Sequence, residues 1–389
     1  MSVSTRPVIA AERYAQRLAR AAAATTAHGL DGLLVGVGPD LRYLTGYQAM
    51  PLERLTMLVL SSRGAAIVVP RLERGAAEAG VAGPVEILTF DEGADPYAAV
   101  VERIDAGHGR TATVAVSDTL WASHLLGIQG AIAADPRFDG SDMRVTSSVL
   151  RELRMVKDAD EIELLRLAAH AADRVVAQIA AGRLVGRTEH DVSREVRDRL
   201  LAEGHETAEF AIVGSGPNSA SPHHEASERV IQAGEPIVLD IGGSLSGYGS
   251  DITRMLWVTG GDPAKGPDEA FRHLFGVLYG AQAAATRAVR PGVLCESIDA
   301  AARQPIESEG YGEAFFHRTG HGIGLEEHED PYMIAGNVEP LQAGMAFSVE
   351  PGIYLVGRYG ARIEDIVVCG PDGPITLNEA PRELYVVDG

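Results

Sequence analysis

The chain contains 389 residues, of which 46% are hydrophobic and 23% are charged, and it carries a formal net charge of −20 with an isoelectric point near 5.0. This length exceeds the size at which a single hydrophobic core usually stops growing, so two domains are expected. The acidity argues against nucleic acid or an anionic membrane as a partner, because binding to phosphates requires clustered lysine and arginine.

The first part of the chain, from about Ala10 to Asp142, alternates short apolar runs with alanine-rich amphipathic segments. The apolar runs predict strands at Gly32–Gly36, Thr56–Ser61, Ala65–Pro70, Val85–Phe90 and Thr111–Val116. The amphipathic segments predict helices at about Ala10–His28, Tyr97–His108 and Thr119–Ala134. A hairpin turn is expected at Arg63-Gly64, and no phosphate loop or dinucleotide-binding fingerprint is present. The pattern therefore predicts an α/β N-terminal domain.

A domain boundary is predicted within Ser141–Lys157, which divides the chain into residues 1–150 and 151–389. Beyond it, Asp158 and Glu161 predict a capping box at the start of a long helix that Gly182 could close. Further helices are predicted at about 188–204, Pro267–Val289 and Glu296–Glu309, and strands at Pro236–Ile241, Asp251–Val258, Met345–Glu350 and Ala361–Val368.

The two cysteines, Cys295 and Cys369, lack the spacing of a metal site and are too few for a disulfide framework. The N-terminal segment has no apolar signal core, and no apolar run is long enough to span a bilayer. We therefore expect a cytoplasmic protein.

The C-terminal part of the chain carries four carboxylates and one imidazole that could bind metal. They are Asp240, Asp251, His321, Glu350 and Glu364. Oxygen ligands suit Mn²⁺ or Mg²⁺, and an imidazole shifts the preference toward Mn²⁺, Co²⁺, Fe²⁺ or Zn²⁺. Two such cations at a separation of roughly 3.5–4 Å can hold and ionise one water. The set predicts a hydrolase.

The placement of the carboxylates on strands supports this prediction. Asp240 ends one predicted strand and Asp251 starts the next, so a glycine-rich loop would bring the two side by side. A lone aspartate commonly caps a turn, but a second strand pair repeats the arrangement with Glu350 and Glu364. Two buried like charges at this range require a cation or a shared proton. Because strand side chains alternate, Glu364 is predicted to point inward and Asp365 outward.

Three histidines, His317, His321 and His328, lie in one segment punctuated by glycines. The glycines would let the backbone approach a bound group closely and argue against a helix, and no HExxH zinc motif is present. A lone histidine is more often a core or surface residue than a ligand, but three beside an acidic cluster favour at least one ligand. His223 and His224 form a further candidate pair on a loop, where substrate-contacting groups often lie.

These residues together resemble the "pita-bread" metallopeptidases, and most closely their Xaa-Pro peptidase branch of prolidase and aminopeptidase P. The order of the five ligands, with PHH before them and HGIGLEEHE among them, carries the resemblance from about Lys157 to Asp388. The front half, including LRYLTGY at Leu41–Tyr47, resembles the creatinase-type N-terminal domain of the same branch. The implied fold is an α/β, creatinase-like N-terminal domain followed by an α+β pita-bread catalytic domain.

The resemblance implies a dinuclear-metal exopeptidase that hydrolyses the Xaa-Pro bond at the N-terminus of dipeptides or short peptides. It implies a homodimer with two divalent ions, with Mn²⁺ preferred and Co²⁺, Zn²⁺ or Fe²⁺ as alternatives. Asp240 and Asp251 would hold the first ion and His321 and Glu350 the second, with Asp251 and Glu364 bridging both.

The resemblance also implies catalytic roles for His223, His317, His328, Glu350 and Arg362. Glu350 would accept a proton from the attacking water and return it to the departing proline nitrogen, and His328 would donate to the oxyanion. His223 would contact substrate, His317 would line the pocket, and Arg362 would orient a carboxylate. Tyr354 and His223 are candidates for the wall of a proline pocket.

Other functions remain open. One is a hydrolase or lyase of the same fold that acts on a non-peptide modified amino acid. Another is a metal-free binding module, although the presence of all five ligands argues against it. Creatinases share the fold but lose these ligands, so a creatine-type activity is disfavoured. A dipeptidase is not separated from an aminopeptidase by the sequence, because that difference depends on loops and on a neighbouring subunit.

Overall fold

The computed structural model describes residues 8–105 and 109–389, which form two compact units, residues 8–154 and residues 155–389. None of the helices in the described part of the chain is both long enough and apolar enough to cross a membrane.

The first unit is a mixed α/β layer structure. Its elements are α1 (Ala11–Ala27), β1 (Gly32–Val35), α2 (Pro39–Thr45), β2 (Met57–Ser61), β3 (Gly64–Pro70), α3 (Arg74–Gly80), β4 (Val85–Phe90), α4 (Tyr97–Glu102), β5 (Arg110–Val116), α5 (Ala122–Ala134), β6 (Phe138–Val145) and α6 (Ser147–Met155). The strands form one sheet in the order β4-β3-β2-β1-β5-β6, with β1–β2 and β2–β3 antiparallel and the other pairs parallel. Val59 and Val114 of the sheet pack on Val100 and Ile128 of the helices.

The predicted strands and the hairpin of this unit are confirmed, with Ser61 paired to Gly64 across the turn. The helix predicted to reach His108 ends at Glu102, and residues 106–108 of that prediction lie outside the described part of the chain. The patterns did not indicate α2, α3, β6 or α6. Strand β6 has a weak apolar signal because it lies at the edge of the sheet, where all of its residues but Phe138 are at least partly exposed.

The second unit is α+β. Its elements are α7 (Ala159–Ala180), α8 (Glu189–Ala202), β7 (Thr207–Ser215), β8 (Glu235–Leu245), β9 (Tyr248–Val258), α9 (Glu269–Ala288), α10 (Cys295–Ser308), β10 (Gly320–Gly322), β11 (Glu329–Met333), β12 (Ala346–Val349), β13 (Gly352–Leu355), β14 (Tyr359–Arg362), β15 (Asp365–Cys369), β16 (Pro374–Thr376) and β17 (Tyr385–Val387). The strands form sheets in the orders β17-β9-β8-β7 and β11-β10-β12-β15-β16, and a hairpin of β13 and β14.

The four predicted helices of this unit are confirmed, and so is the capping box at Asp158 and Glu161. Asp158 accepts from the amides of Asp160 and Glu161, and the Glu161 carboxylate accepts from the amide of Asp158. Such a reciprocal cap satisfies amides that a helix start would otherwise leave without partners.

Strands β8 and β9 are buried on both faces. Leu239 and Ile241 belong to a core with α7 and α8, whereas Val238 and Met255 pack with α9 and the β13–β14 hairpin. Because side chains alternate along a strand, Asp240 shares the face of Val238 rather than that of Leu239.

Two strand predictions were wrong in extent. Strands β8 and β9 continue to a tight turn at Ser246-Gly247, where both residues have positive φ, so Asp240 and Asp251 lie inside the strands and not at their ends. The segment predicted as one strand at Ala361–Val368 is two strands, β14 and β15. Glu364 lies in the break between them, where it forms an isolated bridge with Thr253.

Candidate metal centre

The β8–β9 ladder brings Asp240 and Asp251 to one face of the sheet. Asp240 pairs with Thr253, and Asp251 pairs with Gly242, two residues beyond Asp240. The two aspartates are therefore diagonal neighbours on the same face, a spacing of roughly 7–8 Å between Cα atoms. The sequence prediction that they lie close together holds, although the two strands are longer than expected.

The break between β14 and β15 directs Glu364 to the same face. Its amide donates to the Thr253 carbonyl at 3.2 Å, and the Thr253 hydroxyl donates to the Glu364 carboxylate at 2.7 Å. Thr253 pairs with Asp240 across the ladder and lies two residues after Asp251, so this pair of hydrogen bonds fixes Glu364 beside both aspartates.

His321 and Glu350 come from the neighbouring sheet. The His321 Nε2 atom lies 3.6 Å from Asp251 Oδ2 and 3.4 Å from Glu350 Oε1. The Ser348 hydroxyl accepts from the His321 amide at 3.0 Å and donates to Glu350 at 3.3 Å. The His321 Nδ1 atom lies 3.1 Å from the Gly322 carbonyl, so Nδ1 carries the proton and Nε2 faces the carboxylates with a free lone pair.

Two glycines allow this arrangement of β10. A Cβ atom on Gly320 would lie 1.9 Å from the Ser348 carbonyl oxygen, and one on Gly322 would lie 2.2 Å from the Asp330 carbonyl oxygen. The glycines of this segment were expected to let the backbone approach a bound group, and at these two positions they let it approach neighbouring backbone.

The electrostatics of the cluster fit a cation. Burial, followed by repulsion from neighbouring carboxylates, raises the pKa of Asp251 and of Glu364 well above their usual values. Burial also raises the pKa of Glu350 to about 7, although Arg362 opposes the change. Burial lowers the pKa of His321 to about 3, which keeps the imidazole neutral as a metal ligand requires.

The geometry fits a cation as well. Donor atoms of Asp251, His321 and Glu364 all lie within 4.8 Å of one another. Among the described residues, the Oδ1 atom of Asp240 is buried and has no hydrogen-bond partner. A buried carboxylate oxygen without a donor is costly, and coordination to a cation would satisfy it.

Arg362 connects three side chains of the site through hydrogen bonds. It contacts the Asp240 carboxylate and donates to the Tyr354 hydroxyl at 2.7 Å and to the Thr253 hydroxyl at 3.0 Å. The Tyr354 hydroxyl in turn lies 3.0 Å from His317 Nε2. Burial lowers the pKa of His317 to about 4, so its imidazole is neutral and its Nε2 atom accepts a hydrogen bond from the Tyr354 hydroxyl.

A cavity of about 960 Å³ opens onto this cluster. All five predicted ligands line it, together with His223, His317, His328 and Arg362. The His328 ring centroid lies 4.0 Å from that of His321. Tyr354, suggested for the proline pocket, is only 2% exposed and is not among the described residues that line the cavity. Phe210, Ile212, Phe316 and Ile334 provide apolar walls instead.

The paired histidines on the loop have different environments. His223 lines the cavity and is exposed, whereas the His224 Nε2 atom lies 2.8 Å from the fully buried Glu189 carboxylate. Glu189 was not singled out from the sequence. Its only local signal is its position at the start of α8, because its partners come from a loop distant in sequence.

Asp365 was predicted to point outward, and this prediction was wrong. The residue is 1% exposed, and its carboxylate accepts from Arg254 at 2.6 Å and from Gln282 at 3.1 Å. Strand β15 is buried on both faces, so a side chain on the face opposite the metal cluster is still not exposed to solvent.

Comparisons with known proteins identify relatives of both units. The model of metallopeptidase family M24 matches residues 163–371, and that of the creatinase/prolidase N-terminal domain matches residues 17–156. The probable dipeptidase PepE of Mycobacterium tuberculosis is 46% identical, with 97% of each chain covered.

Solved structures resemble the whole chain. The dipeptidase PepE of Mycobacterium ulcerans superposes with a TM-score of 0.87 at 45% identity, covering 98% of this chain and 100% of that one. The prolidase of Thermococcus sibiricus gives a TM-score of 0.87 at 34% identity, with the same shares covered. The predicted fold class is confirmed: a creatinase-type N-terminal domain precedes a pita-bread catalytic domain.

Proposed function

The chain belongs to metallopeptidase family M24, and from this premise we propose that it is a dinuclear-metal exopeptidase that hydrolyses Xaa-Pro bonds at the N-terminus of dipeptides or short peptides. The observation that carries the proposal is the convergence of four carboxylates and one neutral imidazole on the wall of a single cavity. Relatives named Xaa-Pro dipeptidase, such as that of Pyrococcus furiosus at 33% identity, support the choice of bond.

The proposed ligand assignment is the one that the family resemblance implies. Asp240 and Asp251 would hold one ion, His321 and Glu350 the other, and Asp251 and Glu364 would contact both. Two divalent ions there would supply a water of lowered pKa and polarise the scissile carbonyl. Mn²⁺ is the proposed metal, because the donor set is mostly oxygen with one imidazole.

The protein groups around the cluster would handle protons and charge. Glu350, which lines the cavity beside His321, would accept a proton from water and return it to the departing proline nitrogen. His328, on the cavity wall beside His321, would donate to the oxyanion. His223 would contact the substrate, His317 would line its pocket, and Arg362 would hold the Asp240 carboxylate in place.

Metal removal and reconstitution test the proposal. Chelated protein should not cleave Ala-Pro, and Mn²⁺ should restore cleavage to alanine and proline. Glu350→Ala and His321→Ala should abolish it, whereas His273→Ala, at an exposed histidine of α9 outside the cavity, should retain it. Full activity in either ligand variant would contradict the assignment. Cleavage of a non-peptide amino acid derivative in place of Xaa-Pro peptides would favour the hydrolase or lyase alternative.

We further propose a cytoplasmic homodimer with domains at residues 1–150 and 151–389. The two cysteines are both free and buried, which suits a reducing compartment. The dimer rests on the family resemblance, and sedimentation equilibrium of the purified protein tests it.

A further inference from the structure

The break between β14 and β15 places unusual demands on the backbone of Glu364. At this break Glu364 forms an isolated bridge with Thr253 instead of a continuous ladder. The hydrogen bond to the Thr253 carbonyl satisfies the amide of Glu364 and not its carbonyl. The residue is only 2% exposed, and a buried carbonyl requires a donor. Where no strand lies alongside, a side chain has to supply that donor.

Arg254 supplies it. The residue follows Thr253 in strand β9, so its side chain leaves the strand on the face opposite to the metal cluster. It is fully buried, and its Nη1 atom donates to the Glu364 carbonyl at 2.6 Å and to the Thr253 carbonyl at 3.0 Å. One nitrogen of the guanidinium therefore holds both residues of the bridge that carries Glu364.

The remaining N–H groups fix the guanidinium itself. The Nη2 atom donates to Asp365 Oδ1 at 2.6 Å and to the Ala380 carbonyl at 2.8 Å, and the Nε atom donates to the Pro381 carbonyl at 2.9 Å. A guanidinium has five N–H groups in a rigid plane, and each of them has an acceptor here. Asp365 balances the positive charge, so Arg254 acts on Glu364 through the backbone and not by neutralising the Glu364 carboxylate.

The segment of residues 378–381, which provides two of these acceptors, is anchored as well. The Ile366 amide of β15 donates to Asn378 Oδ1 at 2.8 Å. The Asn378 Nδ2 atom and the Glu379 amide donate to Asp173 of α7 at 3.1 Å and 2.6 Å. Strand β17, which follows this segment, pairs in parallel with β9. The position of the guanidinium is therefore defined by contacts from three separate parts of the catalytic unit.

We propose that Arg254 is a positioning residue for the metal ligand Glu364. It holds the backbone of the ligand and of the bridge partner Thr253, and this fixes the direction of the Glu364 carboxylate toward the cluster. The inference rests on the proposed function, because Glu364 is a ligand only if the cluster binds metal. A metal site requires its ligands within roughly 0.5 Å of the productive geometry, and groups that orient the ligands commonly change metal affinity by about 10- to 100-fold.

The test is Mn²⁺ binding to metal-free Arg254→Lys, measured by titration calorimetry. The substitution keeps a positive charge against Asp365, but a single ammonium nitrogen cannot reach all the carbonyls that surround the guanidinium plane. The Kd for Mn²⁺ should rise by about 10- to 100-fold. At saturating Mn²⁺ the KM for Ala-Pro should stay near the wild-type value, since Arg254 is not among the described residues that line the cavity.

Arg187→Lys is the matched control. Arg187 also binds a carboxylate, that of Glu195, and two backbone carbonyls, those of Arg183 and Asp191, and it is likewise not among the described lining residues. This variant should keep the wild-type Kd for Mn²⁺. A purely structural role of Arg254 would lower the Tm of Arg254→Lys and leave its Kd for Mn²⁺ at the wild-type value.

The outcomes separate the two proposals. A wild-type Kd for Mn²⁺ in folded Arg254→Lys would overturn the positioning role and leave the peptidase function standing. Absence of Mn²⁺ binding by the wild type would overturn the proposed metal centre and this inference with it. If Arg254→Lys does not fold, Asp365→Asn provides the test, because it keeps the shape of the side chain and removes the counter-charge that fixes Arg254. Its Kd for Mn²⁺ should rise by a smaller factor, and an unchanged Kd would contradict the inference.

Discussion

Glu189 is the buried anchor of the loop that carries His223. Its carboxylate accepts hydrogen bonds from the amide and the hydroxyl of Ser215 at 2.7 Å each, from the Ser227 hydroxyl at 2.6 Å and from Asn218 Nδ2 at 3.0 Å. With His224 at 2.8 Å, these bonds join the start of α8 to the end of β7 and to the His223 loop. We predict that Glu189→Ala destabilises the enzyme and also impairs substrate binding.

The magnitude follows from the donors that the substitution leaves behind. A buried donor without an acceptor costs about 1–3 kcal/mol, and loss of one partner of a buried charged network costs roughly 3–5 kcal/mol after the surroundings relax. For a unit of this size the upper estimate corresponds to a fall in Tm of roughly 6–20 °C. The KM for Ala-Pro should rise because the loop no longer holds His223 against the cavity.

Thermal unfolding followed by circular dichroism, together with steady-state kinetics, measures both effects. Glu195→Ala is the matched control on the same helix, since Glu195 pairs with Arg187 and Arg199 but is 28% exposed. An ion pair of that kind contributes less than about 1 kcal/mol. If Glu189→Ala has the same Tm as Glu195→Ala and keeps the wild-type KM for Ala-Pro, the anchoring role of Glu189 is wrong.

The effect should also depend on pH with a defined sign. Burial alone would raise the pKa of Glu189, but hydrogen bonds from Ser227, His224 and Ser215 outweigh it and lower the pKa below the usual 4.5. A carboxylate with a lowered folded pKa contributes its full stability above pH 4.5 and loses it as the pH falls through the folded value. The difference in stability between wild type and Glu189→Ala should therefore be constant near neutral pH and shrink below pH 4.5.

Three further predictions address the metal site. Gly320→Ala should lower the free energy of unfolding by about 3 kcal/mol or more, since its Cβ would meet the Ser348 carbonyl oxygen at 1.9 Å. Gly280→Ala, at an exposed position of α9 with open space around it, should raise the free energy of unfolding by about 0.5–1 kcal/mol, and urea unfolding compares the two variants. Thr253→Val removes the hydrogen bonds to Glu364 and Arg362 and should weaken Mn²⁺ binding about 10- to 100-fold by titration calorimetry. Adding Mn²⁺ to the metal-free protein at 100 times its Kd should raise the free energy of unfolding by about 2.7 kcal/mol. An unchanged Tm would contradict binding of Mn²⁺ to the native state.

Local signals in the sequence were sufficient for most elements of the fold. The strand at Gly32–Val35 is apolar at nearly every position, and the helix at Ala159 begins with a capping box, so neither depends on distant residues. Strand β6 could not be recognised in the same way. It lies at the edge of the sheet, and most of its side chains are partly exposed, so its sequence lacks a run of apolar residues. The prediction that Asp365 points outward was wrong for a different reason. Asp365 is held by Arg254, more than one hundred residues away, and local alternation does not describe such a contact.

Three buried acids of the catalytic unit that are not candidate ligands are each paired with a cation of the protein. Asp365 is paired with Arg254 at 2.6 Å, and Glu329 with Lys157 at 2.6 Å. Asp299 accepts from Arg303 in the same way, at 2.8 Å. Each of these carboxylates has a cation of the protein against it, so the protein alone can keep it ionised.

Asp251, Glu350 and Glu364 are arranged differently. Burial raises the pKa of each of the three, and repulsion from Asp240 adds to the rise, although Arg362 opposes it at Glu350 and Glu364. Arg362 contacts Asp240, and Arg318 on the cavity wall also acts on Glu350. The Oδ1 atom of Asp240 still has no hydrogen-bond donor among the described residues. Keeping all four ionised at neutral pH therefore requires about two further positive charges or more. A divalent cation, or the pair of cations that we propose, would supply that charge at the cluster of Asp240, Asp251, Glu350 and Glu364.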